Sequence, residues 1–277
     1  METVSQTRSH GGTQGVYSHT SDATGTEMTF AVFVPDHEDG ARLPVLTYLS
    51  GLTCTHANVM EKGEYRAACA EHGIVFVAPD TSPRGDDVPD TDEYDFGTGA
   101  GFYVDATQEP YSKHYRMRSY VEEELPALIE ANFPIDPQRR SIMGHSMGGH
   151  GSLSVALRSP DRFRSVSAFS PIVAPGEVPW GEKALGRYLG DDRSAWREYD
   201  AVALIEDGAK PPPMLVDQGT ADQFLEEQLQ TRRLVAACEA AGIEATIRKQ
   251  EGYDHSYFFI STFMAEHVGW HAQHLRA

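Results

Sequence analysis

Short apolar runs bounded by turn residues recur along the chain, and segments with helical spacing separate most of them. Val45–Leu49, Ile74–Ala78, Ser141–Met143, Ser165–Phe169 and Met214–Val216 each end near Gly, Pro, Asp or Ser. That is the pattern of strands buried on both faces of a parallel sheet. Between them, Tyr65–His72 stops at Gly73, Leu225–Ala241 stops at Gly242, and Tyr120–Asn132 and Gly149–Arg158 also read as helices. Met28–Val34, rich in Val, Phe and Thr and interrupted by Pro35, predicts a further strand that pairs with Gly15–His19. Strand and helix alternate, so the predicted architecture is α/β, a mostly parallel central sheet with helices on both faces.

Two stretches break the alternation, Thr81–Tyr111 and Pro171–Pro213, and loops of that length in a compact domain are usually functional or disordered. Residues 1–14 read as a flexible polar tail, and 15–277 as one domain, a size that buries a large core. Charge narrows the partners: 23 Lys and Arg against 41 Asp and Glu give a net charge of −18. This surplus repels phosphate backbones and anionic lipid, which leaves a small-molecule substrate and, as an assembly still open, a homodimer. Three cysteines without a C-x-x-C pair suggest a reducing compartment, and no apolar leader precedes the first strand, so a cytoplasmic protein is expected.

The chemistry concentrates at Gly144-His145-Ser146-Met147-Gly148. It matches G-x-S-x-G, a serine on a sharp strand-to-helix turn where flanking side chains have no room. Composition alone would produce such a match in roughly one chain of this kind in seven, so the context decides. A strand, Ser141–Met143, precedes it and a helix, Gly149–Arg158, follows. The competing reading, a glycine-rich phosphate loop, fails because Ser154 stands where a dinucleotide fingerprint needs its third glycine and no G-K-[ST] is present.

A serine hydroxyl needs a neutral imidazole to take its proton and a carboxylate to orient that imidazole. In the α/β-hydrolase order the acid and then the histidine follow the serine. Among the twelve histidines His255 is best placed, in the loop between a last strand, Glu244–Lys249, and a closing helix, Ser256–Trp270. His267, His271 and His274 are expected to face water on that helix. His267 and His271 do not make a zinc motif, because Val268 stands where glutamate is needed, and no other metal-ligand cluster is seen. For the acid, Asp222 beyond Met214–Val216 is favoured over Asp217, with a helix N-cap as its structural alternative and Asp254 as another partner for His255. The oxyanion needs about two backbone donors. Met147 follows the nucleophile and supplies one, and Leu52, in the loop after Val45–Leu49, supplies the other.

From Gly15 onward the chain resembles the S-formylglutathione hydrolase (esterase D) family. The likeness runs through Ser50-Gly51-Leu52-Thr53-Cys54, Pro79–Gly85, Asp95–Tyr103, Gly144–Gly151, Pro179-Trp180-Gly181, Asp217-Gln218-Gly219 and Glu251–Ser256. The resemblance implies an α/β-hydrolase fold and hydrolysis of S-formylglutathione to glutathione and formate in formaldehyde detoxification, with side activity on short-chain esters and no cofactor. It implies Ser146, Asp222 and His255 as the triad and the amides of Leu52 and Met147 as the oxyanion hole, and so prefers Asp222 over Asp217. It also places Cys54 near the pocket, either as a thiol whose oxidation or mixed disulfide formation would block the site or as an ordinary loop thiol. Tyr94, Ser152 and the Val173–Val178 loop depart from the family pattern, which bears on substrate preference, and Trp180 is expected either at the acyl pocket or simply in packing. The alternatives are a general short-acyl carboxylesterase or acyltransferase, and a noncatalytic hydrolase-fold binding protein.

Overall fold

The structure, a computed structural model, describes residues 1–276. Its strands are β1 (Glu2–Ser9), β2 (Gly12–Thr20), β3 (Glu27–Pro35), β4 (Leu43–Leu49), β5 (Val75–Pro79), β6 (Ile135–His145), β7 (Val166–Phe169), β8 (Met214–Gly219) and β9 (Thr246–Gln250). They form one sheet in the order β1-β2-β3-β5-β4-β6-β7-β8-β9. The pairings from β1 to β5 are antiparallel, and those from β5 through β4, β6, β7 and β8 to β9 are parallel. The expected mostly parallel α/β-hydrolase architecture is what the chain adopts.

Every residue of β5 and β7 is buried, as continuous apolar runs require when helices cover both faces of a sheet. Alternation along each strand divides the core in two. On β4, Leu46 and Tyr48 pack into a layer with Phe259, Ile260 and Met264 of the helix Tyr257–Leu275, while Val45 and Leu49 pack with Leu153 and Ala156 of the helix Met147–Arg158. Leu52, Ser146, Asp222 and His255 lie beyond the carboxyl ends of β4, β6, β8 and β9, and Met147 opens the helix after β6, at the edge where open α/β sheets gather ligand-binding groups.

Four sequence expectations need correction. Residues 1–14 are not a loose tail, because β1 pairs with β2, Thr3 opposite Tyr17 and Arg8 opposite Thr13. Nearly all β1 side chains are exposed, so the apolar alternation that marks a strand is missing from its sequence. Pro171–Pro213 holds three α-helices: Pro179–Leu189, with proline in the first turn where its missing N–H is harmless, the short Arg193–Trp196, capped by Asp192, and Ala201–Glu206, capped by Asp200. The helix expected over Leu225–Ala241 is broken into a π-helical turn, Leu225–Leu229, and a helix, Thr231–Ala241, with Gln230 between them at φ 50°. His267 and His271 do not face water: both are fully buried against β7, on the side of Tyr257–Leu275 that packs on the sheet. Among the described residues no helix is long and apolar enough to cross a membrane.

Candidate active site

Strand β6 ends at His145 and a helix begins at Met147, so Ser146 must turn the chain within one residue. It does so at φ 58° and ψ −117°, a region that L residues enter only under strain. Hydrogen bonds on both sides maintain it: Ser146 N donates to Phe169 O at 3.0 Å, and Ser146 O accepts from His150 N at 2.9 Å. The flanking glycines have a steric cause. A Cβ on Gly144 would strike the carbonyl of Gly148, and a Cβ on Gly148 would strike those of Leu49 and Ser50.

The loop after β4 closes on this turn. A Cβ on Gly51 would lie 3.1 Å from the Ser146 Cβ and 3.2 Å from the His145 carbonyl oxygen, which shows how near the two backbones come. Thr53 N donates to Gly99 O at 2.9 Å, while the amides of Leu52 and Met147 donate to no partner among the described residues.

The loops after β8 and β9 are tied together by Thr220 N to Gln250 O at 3.0 Å and Ala221 N to Tyr253 O at 2.9 Å. Side-chain bulk at Gly219 would collide with the Tyr253 carbonyl and push them apart. This junction brings the Nδ1 of His255 to 2.6 Å from Oδ2 of Asp222, whose side chain is fully buried. The other carboxylate oxygen accepts from Phe224 N at 2.9 Å. Asp254 is occupied elsewhere, accepting from the Ser256 amide and hydroxyl at 3.0 and 2.6 Å. Asp217 points to the opposite face. Burial would raise its carboxyl, but hydrogen bonds from His267 and Arg248 outweigh that and draw it down to about 2.

Ser146 and His255 line one pocket of about 170 Å³ with Leu52, Cys54, Tyr94 and Trp180. Among the described residues no direct hydrogen bond joins the Ser146 hydroxyl to His255, a separation common in sites without substrate. Trp180 donates its Nε1 proton to the Tyr94 hydroxyl at 3.1 Å, so it both packs and forms pocket wall. Burial pushes the Cys54 thiol above its ordinary range, leaving it a neutral thiol. Two lining residues were not foreseen from the sequence, Phe224 and His145. The His145 ring centroid lies 4.4 Å from that of His255, and burial, then the neighbouring His255, push it well below the ordinary histidine range.

A second chain of Ser, His and Asp groups lies beneath the sheet. With Asp217 as the ionised end, donors run from Ser141 to Ser165 at 2.7 Å, to His271 at 2.8 Å, to Ser167 at 2.8 Å, to His267 at 2.9 Å and to Asp217 at 3.2 Å. These tautomers are assigned from the network. His267, His271, Ser165, Ser167 and Asp217 are all fully buried, and none of them lines the pocket that holds Ser146.

The family profile described as "Putative esterase" matches residues 21–272. The chain is 52% identical over 274 residues to the S-formylglutathione hydrolase of Paracoccus denitrificans, covering 99% of this chain and 98% of that protein. It is 50% identical over 280 residues to the Mus musculus S-formylglutathione hydrolase, covering 100% and 99%. A solved structure of an S-formylglutathione hydrolase from Agrobacterium tumefaciens superposes with a TM-score of 0.98 at 57% identity, covering 99% of this chain and 100% of that one.

Proposed function

The chain belongs to the esterase family and, within it, to the S-formylglutathione hydrolases, and on that premise we propose that Ser146, His255 and Asp222 perform the hydrolysis, with the amides of Leu52 and Met147 as oxyanion donors. The substrate is a small thioester, cleaved to glutathione and formate. Asp222 accepts the proton on Nδ1 of His255 and so leaves Nε2 as the basic nitrogen that faces the nucleophile. As the Ser146 Oγ bonds to the formyl carbon, its proton passes to Nε2, and the imidazolium that forms is held by the buried carboxylate. Charge on the carbonyl oxygen is met by the two uncommitted amides. Collapse breaks the carbon–sulfur bond. The glutathione sulfur, a leaving group that needs less help than an alkoxide does, takes the proton from Nε2 as it departs, so glutathione leaves as the thiol and His255 is neutral again. Water then attacks the formyl-serine, gives its proton to His255, and formate departs as Ser146 recovers its hydrogen.

A pocket of about 170 Å³ walled by Tyr94, Trp180 and Phe224 suits a one- or two-carbon acyl group, in keeping with weaker side activity on short esters. Three free cysteines support a reducing, cytoplasmic setting. The observation that carries the assignment is the 2.6 Å Asp222–His255 pair opening onto the same pocket as the strained Ser146. The test is Ser146→Ala, together with peptide mapping of a fluorophosphonate adduct. A kcat loss on the order of 10⁶ and label on Ser146 are expected. Retained turnover, or label on Ser167, rejects the assignment, and equal kcat/KM for S-formylglutathione and an aryl acetate rejects the thioester preference.

A further inference from the structure

We propose that Thr231 and Gln218 form a relay of positioning residues that holds and electrically tunes the site's acid, Asp222; this rests on the assignment of Asp222 as partner of His255. The starting point is the break at Gln230. A non-glycine residue at φ 50° is strained, and an unbroken helix was the expected state of Leu225–Ala241. The strain is held by Gln230 N donating to Leu225 O at 2.8 Å and by Arg233 Nε on the Gln230 side chain. It changes where Thr231 points. From the first turn of the second helix segment, the Thr231 hydroxyl donates to Oε1 of Gln218 at 2.6 Å.

That bond decides which end of the Gln218 amide faces the site. With Oε1 engaged, the two hydrogens of Nε2 are shared among three acceptors, Ser170 Oγ at 3.2 Å, Gly219 O at 3.1 Å and Asp222 Oδ2 at 3.3 Å. Oδ2 is the oxygen that also receives His255. Gln218 and Thr231 are both buried, so water cannot replace either bond without rearrangement. The relay has two effects. It holds the carboxylate in the plane that meets the imidazole, and its donated proton takes up part of the negative charge that would otherwise act on His255.

The signature is a pH profile. Removing the Gln218 donor leaves Asp222 more negative, so His255 holds its proton more tightly and the acid limb of kcat/KM moves to higher pH. The titratable groups facing His255 are Asp222, His145, Cys54 and Tyr94, with Asp254 beside it in the chain and Tyr257 behind His145, and the variants change none of them. Gln218→Leu is expected to lower plateau kcat about tenfold with KM within about twofold, the loss of one hydrogen bond to a charged group. It should also raise the acid limb by about half a pH unit, a roughly threefold change in basicity. Thr231→Val keeps the side-chain shape and is the control against misfolding: it should move both quantities the same way by less, and Thr231→Ser should restore them. In an Asp222→Asn background neither substitution should move the limb.

A plateau that falls with the limb unmoved in both variants, limb shifts that persist in the Asp222→Asn background, or no change in either quantity overturns the relay. The underlying assignment fails by a separate result, full activity of Asp222→Asn alone.

Discussion

Asp222→Asn tests the electrostatics of the site because both carboxylate oxygens already accept protons. Oδ2 receives His255 Nδ1 at 2.6 Å and Gln218 Nε2 at 3.3 Å, while Oδ1 receives Phe224 N at 2.9 Å. An asparagine must set its NH₂ group against one of these donors. Toward Oδ2 it would oppose two, toward Oδ1 only one, so the amide oxygen should stay at His255 and keep the tautomer needed for catalysis. What is lost is charge. An imidazolium and a carboxylate with centres about 4 Å apart attract by about 4 kcal/mol at an effective dielectric of about 20. That is a rate factor on the order of 10³, from which the retained hydrogen bond recovers part. We expect kcat for S-formylglutathione, followed by the loss of thioester absorbance, to fall on the order of 10² to 10³. The acid limb should move to lower pH, since the protonated imidazole has lost its counter-charge. A fall of less than tenfold would refute the charge argument, and one above about 10⁵ would show that the tautomer had inverted.

Two other perturbations separate stability from chemistry. Gly148→Ala drives a Cβ into the carbonyls of Leu49 and Ser50, so thermal unfolding should show a loss of at least 1–3 kcal/mol, and an unchanged Tm would contradict the packing account. Asp217 gives a pH dependence of stability. Its carboxyl lies at about 2 against an ordinary 3.8, so its contribution, on the order of 2 kcal/mol, is complete above about pH 4 and lost as pH falls towards 2. Denaturant midpoints between pH 2 and 6 should decline through that window in the wild type and lack that component in Asp217→Asn. Parallel curves would rule it out.

The parallel half of the sheet was legible because strands buried on both faces must be apolar throughout, and the runs at Val45–Leu49 and Ile74–Ala78 allow little else. The same reasoning could not find β1, whose exposed side chains carry no signal and whose stabilisation is backbone pairing. The sharp turn at Ser146 was legible because it excludes side chains at Gly144 and Gly148, a steric demand written directly as glycine. Asp222 is favoured over Asp217 because it lies in the loop beyond the strand, but residue types leave open a helix N-cap for Asp222 and Asp254 as the partner of His255. The 2.6 Å contact of Asp222 with His255 and the competing bonds of Asp217 and Asp254 are what the sequence does not carry. His267 and His271 were misplaced for a related reason. Helical periodicity does not say that a polar face will find partners under a sheet, and here two serines of β7 and its approach supply them.

That buried network shows why hydrogen-bond connectivity alone does not identify an active site. Ser167 donates to His267 at 2.9 Å, and His267 donates to Asp217 at 3.2 Å, a more complete Ser–His–Asp chain than the one at Ser146. Yet Ser167 lies within β7, fully buried and away from the pocket, and its Oγ already accepts from His271 at 2.8 Å. A nucleophile needs an approach path for a carbonyl and donors placed for the oxyanion, and Ser146 has the pocket and the uncommitted amides of Leu52 and Met147. Ser167→Ala should therefore act only on folding. It leaves an acceptor on His267 and a donor on His271 unmatched in the interior, a cost of about 1–3 kcal/mol in unfolding free energy. In the folded fraction, counted by fluorophosphonate titration, kcat should remain within about twofold of the wild type. A loss of several orders of magnitude at full titration would transfer the nucleophile to Ser167 and overturn the assignment of Ser146.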